Sequence, residues 1–167
     1  ELNPTGESLT MGEVVNLLNE LTEGNAIITT DVGQHQMVAC RYAKFNQSKS
    51  NVTSGGLGTM GFGLPAAIGA WYGAPHRDVI AIIGDGGFQM TLQELGTIMQ
   101  FGAKVKILIL NNQFLGMVRR WQQLFNDKRY SFVNITSPDF VALAKSYYIE
   151  GQKVSERTNL KTALKTM

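Results

Sequence analysis

An α/β fold, with an open, mostly parallel sheet and helices on both faces, is what this chain of 167 residues predicts. Three observations carry the prediction. Strand and helix patterns alternate along the whole sequence. The runs 79–83 and 105–110 are apolar, as strands covered on both faces are. Asp31, Asp85 and Asn112 stand where three of these strands end, and open parallel sheets bind ligands beyond their C-terminal strand ends.

The elements follow in order. Thr10-Met11-Gly12-Glu13 has the form of a capping box, in which the end residues satisfy each other's backbone donors. Met11, Val14, Val15, Leu18 and Leu21 keep helical spacing behind it, which predicts an amphipathic helix over 11–22. Ala26 to Thr30 is a β-rich run and predicts a buried strand. It ends at Asp31-Val32-Gly33-Gln34-His35-Gln36, a strand-end loop leading into a helix near 35–44. The glycine-rich stretch Ser54 to Gly63 excludes regular structure. Leu64 to Tyr72 is apolar almost all round and predicts a fully buried helix, stopped by Pro75.

A strand over 79–83 follows, ending in the glycine-flanked Asp85. Thr91-Leu92-Gln93-Glu94 reads as a second capping box, opening a helix that turns Leu92, Leu95, Ile98 and Met99 inward and ends at Phe101-Gly102. The strand 105–110 leads to a loop at 111–114 and a helix over about 115–125. Ser137-Pro138 supplies an N-cap and first-turn proline for a helix over 138–147. Tyr148-Ile149 and Val154 suggest one more strand. The sequence then stops inside a helical stretch, Leu160 to Met167. The expectation is a single domain over 1–167, a piece of something longer.

Composition narrows the function. Hydrophobic content of 44% and charged content of 17% are those of a globular domain. A net charge of +2 is too weak to argue for nucleic acid or a membrane as partner. No apolar run reaches the roughly 20 residues of a membrane span, and Glu1-Leu2-Asn3-Pro4 does not read as a signal peptide. The single cysteine, Cys40, reads as a small buried thiol, and a cytoplasmic setting is expected. Glycine is the outlier: 18 residues exceed the roughly 7% of average usage, and they cluster between Gly55 and Gly87.

The chemistry concentrates at two strand ends. Asp85, between Gly84 and Gly86, and Asn112, in the pair Asn111-Asn112, lie one strand–helix–strand unit apart. Such a unit places two parallel strand ends side by side. One carboxylate and one amide oxygen suit Mg2+, which takes about six oxygen ligands, with the Phe114 carbonyl, water and a diphosphate completing the shell. The Gly86 and Gly87 amides could form an anion nest. A Rossmann dinucleotide site fits less well, because Gly84-Asp85-Gly86-Gly87-Phe88-Gln89 lacks the third glycine of that fingerprint. No Walker loop, no histidine pair at metal spacing and no serine nucleophile elbow occurs.

Gly84-Asp85-Gly86 followed by Asn111-Asn112 resembles the thiamin diphosphate signature of the pyruvate decarboxylase and acetolactate synthase superfamily. Three further segments, Asp31-Val32-Gly33-Gln34-His35-Gln36-Met37, Ser54 to Gly61, and Leu115-Gly116-Met117-Val118-Arg119-Arg120-Trp121-Gln122, resemble the catalytic subunits of the acetolactate synthase (acetohydroxyacid synthase) family. The likeness runs from about residue 10 to 150. It departs at Gly87, where serine is common, and at Val38, where tryptophan is frequent.

The resemblance implies the C-terminal, diphosphate-binding domain of such an enzyme. Asp85, Asn112 and the Phe114 carbonyl would hold Mg2+. Gln34, His35, Gly84, Gly86 and Gly87 would meet the thiamin diphosphate, Met60 and Gly58 would support its rings, and Met117 and Val118 would lie near its thiazolium. Trp121 would line the substrate path. The full enzyme would decarboxylate pyruvate and join the two-carbon unit to a second 2-keto acid, a step of branched-chain amino acid synthesis. It would work as a homodimer in which a partner's N-terminal domain supplies the activating glutamate. FAD in a further domain and a small regulatory subunit are also implied. The fragment alone would be inactive and would self-associate through the surface left bare. Glyoxylate carboligase, pyruvate oxidase and a non-catalytic Mg-diphosphate module are the alternatives.

Overall fold

The computed structural model describes Leu2 and residues 4–167, so Glu1 and Asn3 of the N-terminal segment read above lie outside the described residues. Four strands, β1 (Ile27–Thr30), β2 (Asn51–Thr53), β3 (Val79–Gly84) and β4 (Val105–Leu110), form one sheet in the order β2-β1-β3-β4. Every pairing is parallel. All four strands therefore end at the same edge, with Gly84 of β3 in register with Leu110 of β4.

Eight α-helices are described: α1 (Met11–Thr22), α2 (Gln34–Tyr42), α3 (Gly63–Gly73), α4 (Asp85–Thr91), α5 (Glu94–Phe101), α6 (Gly116–Phe125), α7 (Phe140–Ser146) and α8 (Arg157–Thr166). The glycine-rich stretch, expected to hold no regular structure, forms a single 3-10 turn over Gly55–Leu57, closed by the Gly58 N–H on the Gly55 carbonyl. The alternation of strand side chains divides the core in two. Val79, Ala81 and Ile83 pack with Leu64, Ala67, Phe88, Leu95 and Ile98 on the α3–α5 face. Ile80 and Ile82 pack with Val14, Val15, Leu18, Leu160 and Leu164 on the α1–α8 face. A strand buried on both sides has no polar position to spare, which is why β3 reads as an unbroken apolar run.

The first capping box forms as its sequence requires: Thr10 Oγ1 accepts from the Glu13 N–H, and a Glu13 carboxylate oxygen accepts from the Thr10 N–H. Gly102 closes α5 in the left-handed region at φ 63°.

Several expectations fail for identifiable reasons. α3 is buried only along Gly63, Leu64, Ala67 and Ile68, and Tyr72 stands 55% exposed, so the helix lies across the sheet instead of inside the core. Thr91 does not cap a helix. It ends α4, and its hydroxyl bonds the Gly61 carbonyl. Leu95 and Ile98 point inward as expected, but Met99 is 46% exposed. Cys40 is exposed, not buried.

Ser137 does not cap the seventh helix. Asp139 does, accepting from the Val141 and Ala142 N–H groups at 2.9 and 3.0 Å. No strand forms at 148–154 among the described residues. Tyr148 takes φ 59°, and the Ile149 N–H turns back to the Ala144 carbonyl, so the segment closes α7 instead of extending. β2 was not foreseen; its three residues owe their conformation to pairing with β1.

Candidate functional site

A cavity of about 170 Å3 opens at the shared strand-end edge. Three helices begin around it. Gly33, Gln34 and His35 come from the start of α2, Gly84 to Gly87 from the start of α4, and Leu115 to Val118 from the start of α6. The first N–H groups of a helix have no partner within it and carry the positive end of its dipole. Three such ends around one hollow favour a multiply charged anion.

Asp85 is 1% exposed and opens α4. Its Oδ2 accepts from the Gln113 backbone N–H at 2.9 Å and from the Ser137 hydroxyl at 3.1 Å. Oδ1 accepts no hydrogen bond among the described residues. The carboxylate is therefore held by one oxygen while the other stays available at the cavity wall.

The Gln113 N–H also lies 3.2 Å from Asn111 Oδ1. It can reach Asp85 because Gln113 adopts φ 60°, a left-handed conformation that non-glycine residues seldom take. Asn112 Oδ1 accepts from the Phe114 N–H at 3.0 Å, which sets the amide and leaves it a further lone pair. The structure thus bolts the end of β4 to the carboxylate after β3.

A short pairing supports this loop from outside. The Leu115 N–H bonds the Val133 carbonyl at 2.8 Å, the Ile135 N–H bonds the Gln113 carbonyl at 3.0 Å, and Val133 is buried. The Arg119 guanidinium lies 4.0 Å from the Phe114 ring and 5.0 Å from that of Tyr130, tying α6 to the same segment.

His35 is anchored from below. Its Nε2 pairs with Oδ1 of the fully buried Asp31, while Asp31 Oδ2 accepts from the Gly61 N–H at 3.2 Å. One buried carboxylate therefore joins the start of α2 to the glycine-rich loop. The Asp31 partner places the ring proton on Nε2 when the imidazole is neutral.

The glycines of α4 serve packing as well as room for a ligand. A Cβ on Gly87 would overlap the Asp31 carboxylate, and one on Gly86 would sit 3.0 Å from Leu115 and 3.1 Å from Ile135. A serine at 87 therefore requires Asp31 to move.

Of the residues singled out in the sequence, Gln34, His35, Gly58, Met60, Gly84, Asp85, Gly86, Gly87, Asn112, Phe114, Met117 and Val118 all line this cavity. Met60 and Met117 are half-buried and Val118 is exposed, so none is a core residue. Trp121 does not line it. It stands 58% exposed, one turn beyond Val118, with its ring 5.0 Å from that of Phe125.

Met11, Val32, Gly33, Leu110, Leu115 and Gly116 line the cavity without having been assigned a role. Gly33 and Gly116 carried a signal, since each is a glycine just before or at a helix start that follows a strand. Gln113 and Ser137 carried none, because both act through the fold. Among the described residues no three His, Cys, Asp or Glu side chains gather as a metal cluster. A cation here would rest on one carboxylate with neutral oxygens, a donor set that suits Mg2+ shared with a phosphate better than a transition metal.

Comparison with known proteins gives a consistent result. The family described as "Thiamine pyrophosphate enzyme, C-terminal TPP binding domain" matches residues 31–167. The acetolactate synthase large subunit of Lactococcus lactis is 45% identical over 163 residues, 97% of this chain and 28% of that protein. The isozyme 2 large subunit of Escherichia coli is 44% identical over 97% of this chain and 30% of its own length. The acetolactate synthase large subunit of Cyanidium caldarium is 51% identical over 91% of this chain and 26% of its own length. Among solved structures, a thiamine diphosphate-dependent 4-hydroxybenzoylformate decarboxylase from Rhodococcus jostii superposes with a TM-score of 0.90 at 28% identity. The match covers 99% of this chain and 31% of that one. The chain thus spans less than a third of the length of these relatives.

Proposed function

This chain belongs to the thiamine pyrophosphate enzyme family, as a C-terminal TPP binding domain, and we propose that it grips the cofactor's diphosphate through Mg2+ within an acetolactate synthase. The observation that carries the reading is the junction of β3 and β4. Asp85, with Oδ1 free, and Asn112 line one cavity, and the N–H of Gln113, the residue after Asn112, bonds Asp85 Oδ2.

The residues fit the group. Asp85 Oδ1, the Asn112 amide oxygen and the Phe114 carbonyl would coordinate the cation. The amides opening α4 at Gly86 and Gly87, with Gln34 and His35 from α2, would receive the diphosphate oxygens. Met60 and Gly58 on one side, and Met117 and Val118 on the other, would pack against the rings. Thiamin diphosphate supplies, when bound, an electron sink for the carbanion left by decarboxylation. The task of this chain is to orient that group and keep water from it.

At about 170 Å3 the cavity is smaller than the roughly 300–1,000 Å3 of complete small-molecule sites. That supports a site walled on its open side by another domain. In this reading the wall is the N-terminal domain of a partner subunit in a homodimer, which brings the activating glutamate. FAD sits in a further domain, a small regulatory subunit attaches elsewhere, and the enzyme works in the cytoplasm. Among the described residues no helix is long and apolar enough to cross a membrane.

The reaction proposed is decarboxylation of pyruvate and transfer of the two-carbon unit to a second 2-keto acid, for branched-chain amino acid synthesis. Identities of 44–51% to acetolactate synthase subunits, against 28% to the decarboxylase, favour carboligation over simple decarboxylation. Trp121, on the exposed side of α6, would face incoming substrate.

The test is thiamin diphosphate binding to the intact protein with Mg2+ titrated in. Wild type should bind only with Mg2+, and Asp85→Ala should weaken binding by more than about 100-fold, beyond the 10–100-fold cost of disturbing a ligand's own support. Equal affinity would overturn the reading. The 167-residue chain alone, given cofactor, Mg2+ and pyruvate, should form no acetolactate above background; steady turnover would contradict the need for a second wall.

A further inference from the structure

We infer that Ser137 is a positioning residue for the Asp85 carboxylate, holding Oδ2 so that Oδ1 alone is presented to the cation; this rests on the Mg2+-diphosphate reading above. Ser137 does not cap α7. Its sequence setting, just before Pro138 and a helix, is that of an N-cap. Asp139 takes that role with both its backbone partners satisfied, which leaves the Ser137 hydroxyl for another use. That hydroxyl donates to Asp85 Oδ2 at 3.1 Å, across 52 residues of sequence.

Three features place it there. Pro138 disfavours helical backbone for the residue before it, and Ser137 lies ahead of α7, which begins at Phe140. Residues 133–135, only two positions upstream, are pinned to 113–115 by two backbone hydrogen bonds and the buried Val133. The loop at 113 is in turn bonded to the same Asp85 oxygen. Ser137 is therefore carried to Asp85 on the strip that also supports the asparagine loop.

The consequence is chemical. A carboxylate can turn about its Cβ–Cγ bond and can bind a cation through one oxygen or two. With two neutral donors on Oδ2, the plane of the Asp85 carboxylate is fixed and monodentate binding through Oδ1 is selected. Mg2+, which demands near-octahedral geometry, gains most from that restriction. Support of this kind for a ligating carboxylate is commonly worth 10–100-fold in metal affinity.

The test is the Mg2+ concentration needed for half-maximal binding at saturating thiamin diphosphate, read by tryptophan fluorescence on the intact protein. Ser137→Ala should raise it by roughly 10–100-fold, while Ser137→Thr, which keeps the hydroxyl, should stay within about threefold of wild type. The melting temperature of the metal-free protein should be the same in all three. An unchanged Mg2+ requirement in Ser137→Ala overturns the inference and leaves the site reading standing. Equal losses in the Ala and Thr variants, or a matching drop in metal-free melting temperature, also overturn it, because the hydroxyl is then not what matters. Wild-type binding that ignores Mg2+ removes the site reading and this inference with it.

Discussion

β3 and β4 are both six-residue strands, apolar but for Lys106 of β4, yet they live in different surroundings. β3 is buried from Val79 to Ile83, between two helical layers. β4 is only half-buried along its whole length, because it lies at the edge of the sheet. The helix that follows it, α6, has no buried residue and shows Trp121, Leu124 and Phe125 to the outside. Hydropathy records that a strand needs covering, not whether the same chain provides the cover. The site sits on the boundary between these halves: Asp85 belongs to the rigid side, while Asn112 and α6 belong to the open one.

That contrast can be broken by stability measurements. Ile82→Ala, at a fully buried position between β1 and β4, should cost about 2–5 kcal/mol in urea unfolding. A cost below about 1 kcal/mol would mean that the two cores are looser than described. Gly86→Ala should cost about 1–3 kcal/mol, because its Cβ presses on Leu115 and Ile135, and it should also weaken diphosphate binding. Free accommodation of the methyl would show that the α4–α6 contact is soft.

Ile107→Ala on β4 should cost only about 1–2 kcal/mol, since the side chain is half-buried. A loss as large as that of Ile82→Ala would erase the distinction between the strands. Trp121→Ala should change stability by no more than about 0.5 kcal/mol, its ring touching chiefly Phe125. A larger loss would place this ring in packing that the structure does not show.

What the sequence revealed divides along the same line. The strand ends at Asp31, Asp85 and Asn112 were legible because strand periodicity is local and parallel sheets gather their ligand residues at one edge. The capping box at Thr10 and the stop at Gly102 were legible because they depend on neighbours within one turn. The helix opening at Asp85 was not. Gly-Asp-Gly-Gly disfavours helix by about 1 kcal/mol per glycine, and packing against Asp31, Leu115 and Ile135 overrides that preference. Ser137 was misread as a cap because its true partner, Asp85, is far away in sequence. Tyr148-Ile149 has the residues of a strand, but a strand needs a neighbour, and among the described residues that segment folds back on α7 instead. Met99 fell on the wrong side because a short helix fixes its rotation only when docked, and Cys40 was read as buried from its residue type alone, which says nothing of the face it occupies.

The central claim is that one carboxylate and one amide, from the ends of adjacent strands, grip a shared cation. The direct measurement is a crystal structure of the intact protein with Mg2+ and thiamin diphosphate. Asp85 Oδ1 and the Asn112 amide oxygen should both lie about 2.0–2.1 Å from the metal, with diphosphate oxygens opposite them. A metal held elsewhere, or a diphosphate bound with neither side chain on the ion, would contradict the account.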